Sequence, residues 1–186
     1  MSNIYQAIID LGSYDSELEP LVGRRALSRS YLLWHHFPAP NGFILTPVAF
    51  SKFLANNNGV AKWKLALDSA NRLEPSTLVE VAKSLQKIIK FTPFDLNLAD
   101  QITAKYHATI GTHKYAHLTI SPSSLTLVPT TPLLPVIKGE TSLLECLKEL
   151  WAAQITPHFL SLVIEKQNII PHMPPVIISE YEPDVS

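Results

Sequence analysis

Apolar positions along this chain fall into separated blocks at helical spacing, interrupted by proline- and asparagine-rich stretches. The first block spans 17–36, with Leu18, Leu21, Val22, Ala26, Leu33 and Trp34 available for a core and three arginines on other faces. "FPAPNGFILTP" breaks it: Pro38 and Pro40 exclude helix, Asn41-Gly42 is a turn signal, and Phe43-Ile44-Leu45 reads as a short buried strand. Thr46 is a good N-cap with Pro47 at the first helical position, and Ala49, Phe50, Phe53 and Leu54 then fall on one side of a helix that stops at Asn56-Asn57-Asn58-Gly59.

A third helix is predicted over 76–90, where Leu78, Val81, Ala82, Leu85, Ile88 and Ile89 keep helical spacing. A fourth runs from Pro93 to Ile110 with Gly111 as C-cap. Ser142 and Glu145 form a capping-box pattern for "SLLECLKELWAAQI", and Pro157 opens "PHFLSLVIEKQ". Strand candidates are His117–Ile120, Leu125–Val128 and Val176–Tyr181. The pattern predicts an α+β protein, mainly helical with a small sheet, forming a single domain over 1–186 without an internal repeat or linker.

Composition narrows the function classes. With 186 residues, 46% of them hydrophobic, the chain can bury a full core. A net charge of −1 gives no overall field to attract nucleic acid or an anionic membrane, so neither partner is expected. The longest uncharged run, Tyr115 to Ile137, carries Pro122, Pro129, Pro132 and Pro135 and makes a poor membrane helix. Cys146 is the only cysteine, which excludes a disulfide framework and a cysteine-rich metal site. The N-terminus lacks the basic start and apolar run of a signal peptide, so the cytoplasm is the expected compartment.

The least ordinary stretch is "LVGRRALSRSYLL", residues 21–33, which places Arg24, Arg25 and Arg29 at a helix start where the backbone dipole is already positive. Two readings stand beside each other. The arginines can pair with Asp15, Glu17 and Glu19 as surface ion pairs, or they can mark an anion site. His35 and His36 read as helix-end or surface residues, and His107, His113 and His117 lack a metal spacing. Ser121, Ser123 and Ser124 have no nucleophile-elbow glycines. Glu180, Glu182 and Asp184 alternate as on a solvated strand face.

"LVGRRALSRSYLL" followed by "FPAPNGFILTPVAFSKFL" resembles the opening of the nucleotide-binding, ATP-grasp domain of the pyruvate phosphate dikinase and phosphoenolpyruvate synthase family. There a Gly-Gly-Lys helix start precedes a Val-Pro-Pro-Gly-Phe-Val-Ile-Thr stretch. "LLECLKELWAAQITPHFLSLVIEKQNI" is similar to that family's helix pair, and "PPVIISEYEPDVS" to its strand ending in Asp-Val-Ser. The resemblance implies the first lobe of an ATP-grasp domain.

Carried over by position, it places Arg25 where the phosphate-reaching lysine stands, with Arg24 replacing the second glycine, and Ser121 where a phosphate-contacting arginine stands, next to Pro122. The nucleotide-phosphate positions implied are therefore Arg25, Arg24, Arg29 and Ser121, all degenerate. Arginine offers a planar fork in place of a compact ammonium, and proline offers no amide donor. The family's glycine loop has no counterpart, since no glycine occurs from Thr112 to Lys138. The family continues past Asp184-Val185-Ser186 into a second lobe that supplies metal-binding acids, so the expectation is a chain with no catalytic or metal residues and no activity alone.

ATP, weakly held, is the one cofactor the resemblance leaves open. The expected role is a non-catalytic binding or regulatory module; the alternatives are half of a split ATP-dependent phosphotransferase using Arg25, or a protein-interaction scaffold. Without the second lobe, a homodimer or protein partner is expected on the uncovered surface at residues 125–137 and the 176–182 strand.

Overall fold

A computed structural model describes residues 6–70, 75–110, 117–123, 137–165 and 172–181. The elements run β1 (Ile8–Asp10), a 3-10 turn (Ser16–Leu18), α1 (Glu19–Val22), α2 (Arg24–Trp34), β2 (Gly42–Leu45), α3 (Pro47–Ala55), a 3-10 turn (Asn56–Asn58), α4 (Gly59–Asp68), α5 (Pro75–Phe91), α6 (Leu96–Thr109), β3 (Leu118–Pro122), α7 (Glu140–Gln154), α8 (Pro157–Glu165) and β4 (Val176–Glu180). The mainly helical α+β class is as the pattern predicts.

The strands form one antiparallel sheet in the order β1-β2-β4-β3, with Ile44 opposite both Ile9 and Ile177, and Ile120 opposite Ile178. Alternation sorts its two faces. Phe43, Leu45, Leu118, Ile120, Val176 and Ile178 join the main core with α3–α8. Ile9, Ile44 and Ile177 form a second, smaller core with Leu18, Val22 and Ala26. The sheet is thus sandwiched between the large helical layer and the α1–α2 segment.

Aromatic rings fill the centre of the main core. Phe50 lies 6.2 Å from Phe53, 6.0 Å from Trp63 and 5.3 Å from Trp151, the last two edge-on, and all four side chains are buried. Phe43, Leu45, Phe50, Phe53 and Trp151 are all in the core. The Thr46 cap forms as expected: its hydroxyl accepts from the Val48 amide at 3.3 Å and donates to the Gln6 carbonyl at 2.6 Å.

Several boundaries differ from the sequence expectation. The block at 17–36 is not one helix, because Gly23 at φ +79 separates α1 from α2. Trp34, expected in the core, is 59% exposed. Gly42 belongs to β2 rather than to a turn; a side chain there would meet the Ile178 carbonyl oxygen at 2.2 Å, so only glycine lets β2 and β4 approach. After the asparagine stop the chain re-enters helix at once as α4, with Trp63 buried, and β1 adds a further edge strand. Asp95, not Pro93, opens α6 by accepting from the Leu98 amide at 3.3 Å. The capping box at Ser142 does not form, since α7 starts two residues earlier after Gly139 and Glu145 instead pairs with Lys148 at 2.7 Å.

The Leu125–Val128 strand candidate, Gly111, His113, Ser124, Glu182 and Asp184 lie outside the described residues. Glu180 is half-buried at the end of β4. β4 itself is interior to the sheet, paired on both sides and buried, so the 176–180 part of the expected partner surface is not an open edge. Ile137, at the end of the other part, is buried and bridges Leu118. No helix among the described residues is long and apolar enough to cross a membrane.

Candidate functional site

The α2 N-terminus, where the arginines stand, packs against the end of β3. Gly23 is its N-cap and carries no side chain to satisfy the first amides. The Ser123 hydroxyl, just beyond β3, takes that role from across the fold by accepting from the Ala26 amide at 2.9 Å in a buried position. Ser123 is itself anchored, its amide donating to the Pro175 carbonyl at 2.7 Å. A Cβ on Gly23 would lie 2.7 Å from the Ser123 oxygen, so the absent side chain is the room the hydroxyl occupies.

Each arginine meets a partner within the chain. Arg24 Nε donates to Glu19 Oε1 at 3.2 Å on the surface, where such a pair contributes about 0–1 kcal/mol. Arg25 Nη1 reaches the Pro122 carbonyl at 3.4 Å and stays exposed. Arg29 Nη1 donates to Ser179 Oγ at 2.9 Å, and that hydroxyl shares a 3.1 Å hydrogen bond with Thr119. Of the two sequence readings, surface pairing describes Arg24, whose acid is Glu19; Asp15 caps the 3-10 turn by accepting from the Glu17 amide at 2.9 Å.

Arg25, Arg29 and Ser121 therefore lie along one seam between α2 and the β3–β4 pair, whereas Arg24 turns away from it. Ser121 is half-buried opposite Ile177, two positions from Thr119 on the same face of β3. The sequence reading weighs Ser123 only as a nucleophile and passes over the seam's other hydroxyls, Thr119 and Ser179. The signal for Ser123 was present in Gly23: a helix opening on glycine has no side-chain cap of its own and needs one from elsewhere.

Among the described residues the seam contains no acid–base pair and no nucleophile beside a base, and Arg25 is its exposed cation. His107, near the end of α6, contacts Glu140 at the start of α7. Among the described residues no three His, Cys, Asp or Glu side chains stand together as metal ligands. Neither protein-family models nor curated protein sequences match the chain.

Proposed function

We propose that this chain is a non-catalytic lobe of the dikinase ATP-grasp type, serving as a binding or regulatory module with at most weak affinity for ATP. The supporting observation is the Ser123 hydroxyl seated on the Ala26 amide. A phosphate at the start of α2 needs that donor, and here the donor is already used inside the fold. Arg29 is drawn to Ser179 in the same way, which leaves Arg25, exposed and on a long contact, as the group able to meet a phosphate. One cation without a closed cleft leaves most of the association cost uncompensated, so the expected affinity for ATP is roughly millimolar or weaker.

Calorimetric titration with Mg²⁺-ATP, with a phosphate-release assay beside it, tests this reading. The expected result is no turnover and no saturable heat in the micromolar range. A micromolar dissociation constant lost in Arg25→Ala, or Mg²⁺-dependent turnover lost in that variant, would overturn it and favour the split-enzyme alternative.

A further inference from the structure

The far end of α2 carries a different feature. Tyr31, Leu32, Trp34 and Phe37 are all more than 40% exposed within seven positions. The helix ends in a Schellman turn, with the Phe37 amide donating to the Leu32 carbonyl at 2.9 Å and the His36 amide to the Leu33 carbonyl at 3.1 Å. The position that glycine normally fills there is His36, at φ 60. Its imidazole, the Trp34 indole, Leu33 and Gly12 of the turn after β1 line a cavity of about 450 Å³. One turn back, Tyr31 lies between Tyr14, edge-on with ring centres 5.3 Å apart, and His35, tilted at 4.3 Å.

Charge and donor chemistry select the occupant. From Ser30 to Ser51 the chain has no Asp, Glu, Lys or Arg, and the cavity lining has none either, so the lining offers no carboxylate, ammonium or guanidinium to pair with a charged ligand. A cationic ligand in an aromatic cage needs several rings around it and a nearby carboxylate, and a sugar needs carboxylates or amides for its hydroxyls; the cavity lining has one indole, one imidazole and neither acid nor amide. Exposed aromatic faces beside N–H and O–H donors suit flat rings and carbonyls that bring no N–H of their own. That is the surface of a polyproline II segment, already extended and therefore cheap to order. We propose that the cleft at the α2 exit docks an uncharged, proline-rich segment of a partner protein, with Trp34 as its central contact.

The tryptophans provide the readout, because Trp63 and Trp151 are buried and Trp34 is not. Titrating the full chain with a decaproline peptide should give a saturable blue shift of Trp34 emission. It should also displace the Trp34 indole N–H resonance while those of Trp63 and Trp151 stay in place. Trp34→Ala, with an unchanged melting curve, should weaken binding by roughly tenfold or more, as for a central aromatic anchor. Because the resonance shifts are read on the unmodified chain, the test stands even if that variant unfolds. No saturable change up to about 5 mM peptide, equal binding of a Gly-Ser peptide of the same length, or shifts confined to the buried indoles would each overturn the proposal. A blue shift that grows with protein concentration and that decaproline does not reverse would assign the cleft to a second copy of this chain and overturn it equally.

Discussion

The Ser123 hydroxyl and the Ala26 amide, 97 residues apart in sequence, meet at 2.9 Å in a buried position. A cap supplied from across the fold ties the start of α2 to the end of β3, so its loss removes both a hydrogen bond and a tertiary link. Ser123→Ala is expected to destabilise the chain by about 0.5–2 kcal/mol, in the range of capping-residue losses. Urea unfolding checks this, and a change below about 0.3 kcal/mol would mean that water replaces the hydroxyl without cost.

Gly23 faces the same contact from the other side. Gly23→Ala would force a side chain onto a backbone at φ +79, ψ 155, a region essentially reserved for glycine, and place its Cβ 2.7 Å from the Ser123 oxygen. Conformational strain alone is worth about 1–3 kcal/mol, and the clash adds to it. The variant should therefore lose more stability than Ser123→Ala does. In the double variant the closest contact is gone, while the approaches of 3.1 Å to the Cβ and 3.3 Å to the carbonyl oxygen of residue 123 and the backbone strain stay, so its loss should be smaller than the sum of the two single losses. Strict additivity would show that the two residues do not act as one unit.

Phe50 anchors the aromatic centre between Phe53, Trp63 and Trp151. Phe50→Ala would leave a void lined by large rigid rings that cannot collapse into it, and a loss of about 3–5 kcal/mol is expected. Chemical denaturation giving less than about 1 kcal/mol would contradict its central place.

Residues whose role is set by local spacing were legible in the sequence. Thr46-Pro47 announced α3, and Phe43 to Leu45 announced a buried strand, because a cap and a run of apolar residues act within a few positions. Trp34 departs from the expectation because helical periodicity identifies a face without saying where the covering layer stops; the second core reaches Leu33 on α2 but not Trp34 beside it. Helix α4 was missed although Val60, Trp63 and Leu67 have helical spacing, since the preceding asparagines act as a stop that the chain reverses at once. Arg29 and Ser179 could not have been paired from sequence at all, because their 2.9 Å contact depends on the strand order that seats β4 between β2 and β3.

His36 holds the left-handed position of the Schellman turn at φ 60. That conformation costs a non-glycine residue about 1–2 kcal/mol, against about 0.5–1 kcal/mol for the extra freedom glycine has in the unfolded chain. His36→Gly should thus raise stability by about 0.5–1 kcal/mol. His36 also lines the cleft, so the same variant should weaken decaproline binding, and stability and binding move in opposite directions. A stability loss in thermal unfolding would show that His36 has packing not explained by the turn.

Cys146 sits half-buried on α7 with its thiol pKa raised, first by burial and then by the carboxylates of Glu149 and Glu145, which oppose a thiolate beside them. The native thiol should therefore react with an aromatic disulfide reagent more slowly than the same thiol in the denatured chain at pH 8. The linkage has a definite sign. Because the native pKa lies above the unfolded one, the contribution to stability is fully present below about pH 8.5, the ordinary thiol value. It declines above that pH as the unfolded chain releases its proton first, until the native thiol ionises as well. Cys146→Ala removes this component while leaving the tyrosines and lysines that titrate nearby in pH. Between about pH 8 and 10 the wild type should lose stability more steeply than the variant. Parallel stability curves over that interval, together with equal native and denatured labelling rates, would show that the thiol ionises as freely in the fold as outside it.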